Sequence, residues 1–371
     1  MWKNRDSDHR LNQVVYRDDG RYPYVGIVNQ GDGAGLEIWA GMNAGGFAIM
    51  NSASFNFKGG EDTRGEGHFM RAALQSCATV DDFQALLDAE SGAKLDLSAN
   101  FGVIDASGGA AYFEVSPTGY KRFDATASSA APSAYLLRTN FSVSGDANSG
   151  AGFLRLERAR HLTRSIMAKG KMDCETLLRV LARDQANESI GSYPAGKPNS
   201  APMAFTGDSI CRYTTVAAVV FEGVRPGENP RLAHMWVIPG IPITGVAVPV
   251  WPAAASVPPE LAAGKKAGLL VAACDRLGGA LYPETEGSQS RYLNLVAFGR
   301  FRARFLSTFL SEEKKLISET RAQMARWKRN PPQPDEIGAF QEKLAKAALK
   351  TVISADVDAP SPGVKKESGK R

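Results

Sequence analysis

The spacing of short apolar runs in the first fifty residues most constrains what this chain can fold into. Leu11 to Tyr16, Tyr24 to Asn29, Leu36 to Met42 and Phe47 to Ser52 are each of strand length and apolar or alternating. Asp18-Asp19-Gly20, Gly31-Asp32-Gly33 and Asn43-Ala44-Gly45-Gly46 separate them, and these are residues that turn a chain back on itself. A parallel crossover needs about a dozen residues or more, and the gaps are shorter, so the runs predict an antiparallel meander. Helices are expected at Gly67 to Cys77 and Val80 to Ala89, the second opened by Thr79 with Asp82 three residues on.

Strand patterns return at Phe101 to Asp105, Ala110 to Val115 and Tyr135 to Asn140. Phe153 to Lys169 and Cys174 to Gln185 carry helical spacing, with Leu154, Ala159, Leu162 and Ile166 on one side of the first. A polar loop from Asn187 to Gly207 precedes strands at Tyr213 to Glu222 and Leu232 to Ile238, and an extended run ends near Trp251. Strand sets alternating with helix pairs predict an α+β chain of mainly antiparallel sheets with helices packed on them. Beyond Pro252 helix formers dominate. Phe298, Phe301, Phe305 and Phe309 place an aromatic face on one helix, which Pro331-Pro332 ends. The expected division is a domain over 1–252, a helical extension over 253–353 and a disordered basic tail over 354–371.

Composition removes several classes of function. The formal charge of +5 is concentrated near the C-terminus, in Arg321, Arg326, Lys328 and Arg329 and then in Lys365, Lys366, Lys370 and Arg371. No basic stripe interleaved with aromatics occurs earlier, so no nucleic-acid partner is expected. Trp236 to Trp251 is broken by three prolines and two glycines, and no run reaches the roughly 20 apolar residues of a membrane span. Cys77, Cys174, Cys211 and Cys274 are widely spaced and read as free thiols; His9, His68, His161 and His234 show no ligand spacing. Neither a metal nor another cofactor is expected. Homo-oligomerisation is left open, as is localisation, since no secretory signal opens the chain and an upstream segment would permit export.

Three polar clusters adjoin strand ends, where a sheet holds side chains rigidly: Trp2 to His9, Arg138-Thr139-Asn140 and Asp208 to Tyr213. Each alone reads equally as a charged turn or an anchored loop. Their order carries more. Asn4-Arg5-Asp6, Trp39 to Ser52, Phe113-Glu114-Val115-Ser116-Pro117, Arg138-Thr139-Asn140-Phe141 and Ile210-Cys211-Arg212-Tyr213-Thr214-Thr215 together resemble the acyl-coenzyme A:6-aminopenicillanic acid acyltransferase-like family of N-terminal-nucleophile (Ntn) hydrolases, related to the choloylglycine hydrolases. The resemblance runs from Trp2 to about Trp251.

It implies a four-layer αββα sandwich and amide chemistry on a small N-acylated substrate by an N-terminal cysteine, whose α-amine acts as base. It assigns Asp6 to orienting that amine, Asn140 to the oxyanion and Arg212 to bracing Asp6 or the developing charge. Asn51, Ser52 and Asn4 are implied to contact substrate, and Asn43 to shape its turn. The family cysteine precedes the asparagine-any-aspartate motif by more than ten residues, whereas here the motif begins at Asn4; Met1 and Trp2 offer no nucleophile. The expectation is an enzyme whose full form begins upstream with Cys. The alternatives are an inactive ligand-binding relative and a nucleophilic Cys211.

Overall fold

The computed structural model describes residues 1–31, 36–57, 65–90, 97–129, 131, 134–170, 172–186, 203–262, 266–283 and 292–356. Among them lie β1 (Trp2–Asp6), β2 (Asn12–Arg17), β3 (Tyr24–Asn29), β4 (Ala40–Asn43), β5 (Ala48–Ala53), α1 (Glu66–Ser76), α2 (Val80–Glu90), β6 (Ala99–Ile104), β7 (Ala110–Ser116), β8 (Gly119–Asp124) and α3 (Phe153–Lys169). Then come α4 (Cys174–Thr176), continuing as a π turn over Leu177–Leu181, β9 (Met203–Phe205), β10 (Thr215–Glu222), β11 (His234–Pro239), β12 (Val248–Val250) and α5 (Leu269–Leu281). The chain closes with β13 (Tyr292–Asn294), α6 (Leu295–Phe301), α7 (Ser307–Trp327) and α8 (Pro334–Asp356).

Strands β2 to β8 form one seven-stranded sheet in chain order, and β1, β10, β11 and β12 form a second; every pairing in both is antiparallel. The inner strands of the larger sheet are covered on both faces, as suits the apolar runs of β3, β4 and β6. Side chains alternate across a strand. Thus Val14, Val25, Ile27, Met42 and Ala48 join one core with Val219, Met235 and Val237 of the smaller sheet, and that core continues into Leu270 and Leu277 of α5 and Leu344 and Ala348 of α8. Val15, Tyr24, Val28, Ile49, Phe101 and Phe113 point the other way, onto Met70, Leu74, Phe83 and Leu87 of α1 and α2. The layers run helices, sheet, sheet, helices, as expected. No described helix is long and apolar enough to cross a membrane.

Local chemistry accounts for several boundaries. Asp82 accepts from the backbone of Ala78 and Thr79 at 2.8 and 2.9 Å, and Thr79 Oγ1 accepts from Asp82 N at 3.0 Å, a reciprocal cap that starts α2. Phe298, Phe301 and Phe309 are buried, and a π turn over Arg302–Leu306 interrupts that helix between α6 and α7. The expected strand at Tyr135 to Asn140 does not form. Its end is tied to β5 by single contacts instead: Phe55 N donates to Asn140 O at 3.0 Å and Ser52 Oγ to Thr139 O at 2.7 Å. The run at Leu36 to Met42 becomes a strand only from Ala40. β8 was not expected; its Gly-Tyr-Lys-Arg-Phe-Asp sequence is half-exposed and charged, as suits the sheet's edge. The β9–β13 pair also went unread, because strands of three residues give no period. Residues 32–35 of the second turn, most of the Asn187 to Gly207 loop and the tail from 357 lie outside the described residues.

Candidate active site

β1 is a polar strand on which Lys3 and Arg5 project to one side and Trp2 and Asn4 to the other. It runs along a cleft of about 310 Å³ whose other walls are Trp39, the end of β5, the start of α1, the 137–140 segment, Arg155 of α3 and the turn before β10. All six residues expected in the site, Asp6, Asn140, Arg212, Asn51, Ser52 and Asn4, line this cleft. They reach it from four separate stretches of chain.

Asp6 is the hub. Its carboxylate accepts from Arg212 Nε at 2.8 Å and from Thr215 Oγ1 at 2.7 Å, and Arg155 Nη1 lies 3.7 Å away. Thr215 Oγ1 also accepts from Arg212 N at 3.0 Å, which locks the turn carrying the arginine. Arg155 donates through Nη2 to Asn140 Oδ1 at 2.8 Å, and Asn140 Nδ2 donates to Ala53 O at 2.9 Å. Arg155 therefore fixes which way the Asn140 amide faces. Burial, and then the neighbouring Arg212 charge, lower its pKa to about 10, so it stays a cation at neutral pH. The 137–140 segment is held from behind by a buried ion pair between Arg138 and Glu114, whose carboxylate also accepts from Val143 N and Ser144 N at 2.8 and 2.7 Å.

The other expected residues are more constrained. Asn51 Oδ1 accepts from Lys3 Nζ at 2.5 Å and its amide donates to Glu66, while Lys3 also donates to Trp39 O at 2.5 Å. Burial brings Lys3 down to about 7, with the Arg5 charge acting in the same direction, and pushes Glu66 up to about 7 against the Asn51 hydrogen bond and the Lys3 charge. Asn4 spends its amide on Ala182 O and Ile210 O at 3.0 and 3.1 Å and accepts from Trp2 Nε1, so it clamps β1 to its surroundings. Ser52 is tied to Thr139 O. Asn43 shapes its turn: Oδ1 accepts from Gly45 N and Phe47 N at 3.0 and 3.1 Å, and Nδ2 donates to Leu74 O and Cys77 O.

Lys3, Glu66 and Arg155 carried no assignment from the sequence. Lys3 sat inside a quoted cluster, Glu66 one residue before an expected helix, and Arg155 within a helix read only for its apolar side. Cys211 is fully buried, does not line the cleft, and burial raises its thiol well above the ordinary range. That is the wrong setting for a nucleophile. All four cysteines are buried and none is in a disulfide.

Among solved structures, the chain is similar to a mutant conjugated bile acid hydrolase of Clostridium perfringens at 14% identity, with 33% of this chain and 45% of that one covered and a TM-score of 0.25. It thus spans under half the length of that protein. An N-acylethanolamine-hydrolyzing acid amidase ortholog of Caenorhabditis elegans matches at 15% identity over 59% and 85% of the two chains, TM-score 0.37. Penicillin V acylase of Agrobacterium tumefaciens matches at 12% over 67% and 80%, TM-score 0.34. No curated protein matches the chain by sequence. The family model described as "Acyl-coenzyme A:6-aminopenicillanic acid acyl-transferase" matches residues 3–176, which include Asp6, Asn51, Asn140 and Arg155 and stop short of Arg212.

Proposed function

We propose that this chain is the body of an Ntn-type cysteine amide hydrolase or acyltransferase acting on a small N-acylated substrate. The observation that carries the reading is the continuous chain Thr215–Asp6–Arg155–Asn140 with Arg212 on the same carboxylate, of which Asp6, Arg155, Asn140 and Arg212 line one cleft. In this reading Asp6 orients an amine, and the Asn140 amide, held by Arg155, donates to an oxyanion; donors of that kind contribute about 3–4 kcal/mol to acyl transfer. On the same reading the nucleophile is a cysteine upstream of Met1, whose thiol attacks the amide carbonyl while its own α-amine takes the proton and hands it to the amine that leaves as the C–N bond breaks. Water or an acceptor amine then resolves the acyl-thioester.

One feature of β1 supports an upstream strand: it pairs only with β10, so its other backbone edge has no strand partner among the described residues.

The test compares the chain beginning at Met1 with one extended upstream to an exposed first-residue cysteine, on a panel of N-acyl amides. Activity in the extended form alone is expected. An inert extended form that still binds the substrates points to the ligand-binding alternative, and equal, Cys211-dependent activity in both forms overturns the upstream nucleophile.

A further inference from the structure

Besides Lys3, which is bonded to Asn51 and Trp39 O, the cleft contains a second cation that no carboxylate pairs among the described residues. Arg212 and Arg155 share Asp6, and Arg138 is paired with Glu114, but Arg5 makes no ion pair among the described residues. It is only 3% exposed. Its Nη2 donates to Asn29 Oδ1 at 2.6 Å, while Nε and Nη1 have no hydrogen-bond partner among the described residues. The guanidinium lies 5.2 Å over the Trp39 ring, and the indole Nε1 of Trp39 is also buried without a partner. Across the same cleft, Glu66 Oε1 is buried and unbonded. Buried donors in native structures are nearly always satisfied, and charged ones most of all, so three unsatisfied donors at one place point to a group that the protein does not supply. Desolvation lowers Arg5 only to about 10, so it keeps its charge at neutral pH.

We propose that Arg5 and the Trp39 indole N–H form a subsite for a carboxylate carried by the substrate, selecting N-acyl amino acids over uncharged N-acyl amines. The proposal rests on the reading of the cleft as an acyl-amide site. A planar anion satisfies the guanidinium N–H groups and the indole donor together, and it relieves the repulsion between Arg5 and Lys3. The acyl portion has somewhere to go. An apolar cavity of about 490 Å³ adjoins the cleft and shares Trp2, Met50, Tyr112 and Leu137 with it.

Calorimetric titration of the chain with N-octanoylglycine and with N-octanoylglycinamide, which lacks only the charge, tests this. The acid should bind at least tenfold more tightly than the amide, and Arg5→Met should reduce the difference to twofold or less while leaving Tm unchanged or higher. Trp39→Phe keeps the ring, removes one donor, and should narrow the preference severalfold; it serves also if Arg5→Met fails to fold. Equal binding of acid and amide, no binding of the acid, or a preference that survives both substitutions overturns the subsite. Acid-selective binding without hydrolysis by a cysteine-extended form would leave the subsite standing and sink the proposed chemistry, whereas hydrolysis indifferent to the carboxylate would do the reverse.

Discussion

At the scale of single residues, the cleft is defined by how charges are held in low dielectric. Glu66 is the clearest case. Its folded pKa, raised by burial to about 7, lies above its ordinary 4.5. Below pH 4.5 the carboxyl is protonated whether folded or unfolded; between 4.5 and 7 the unfolded chain ionises first, so stability falls as pH rises through that window. Glu66→Gln cannot ionise. The stability of the native chain minus that of the variant, measured by thermal unfolding from about pH 4 to 8, should therefore decline between about 4.5 and 7 and be flat on either side. A flat difference throughout would mean that Glu66 ionises as it does in water. The same physics explains what the sequence hid. Asp6, Asn140 and Arg212 were legible because each stands in a recognisable short pattern. Arg155 and Glu66 were not, since an Arg or Glu at a helix start is ordinary in sequence and becomes unusual only when the fold buries it.

At the scale of elements, patterning was readable wherever a strand or helix had a defined cap or two buried faces. β3 and α3 appear at their expected limits, because Tyr24 to Asn29 alternates cleanly between two cores and Gly152 and Gly170, at positive φ, bracket the helix. The 135–140 segment reads as a strand on apolar content alone, yet its end is held by side-chain bonds to Ser52 and Ala53 of β5 and by one backbone bond from Phe55, and no local rule anticipates that. The α2 cap tests how much such local signals contribute. Thr79→Ala removes the Oγ1 acceptor for Asp82 N and should destabilise the protein by about 1 kcal/mol in urea unfolding with an unchanged m-value. No loss would mean that tertiary packing of Phe83 and Leu87 alone sets where the helix starts.

At the scale of the whole molecule, the tie between the body and α7 is a buried ion pair. Arg183, just past the π turn, donates to both carboxylate oxygens of Glu313 at 2.9 and 2.8 Å and to the carbonyls of Leu178, Pro242 and Gly245; Ala247 N donates to the same glutamate at 2.9 Å. Both side chains are at most 5% exposed. Arg183→Met strands Glu313 in the interior and should cost about 3–5 kcal/mol, whereas the double change Arg183→Met with Glu313→Leu should recover much of that loss. Thermal unfolding of the three variants decides it, and additive losses would show that the two residues act separately. The placement of the tryptophans has a different use. Trp236, Trp251 and Trp327 are wholly interior, whereas Trp2 and Trp39 sit partly exposed on the cleft wall. The molecule thus carries two optical populations: an interior one whose emission changes only when the fold is lost, and a cleft one that a soluble quencher reaches and a bound ligand shields.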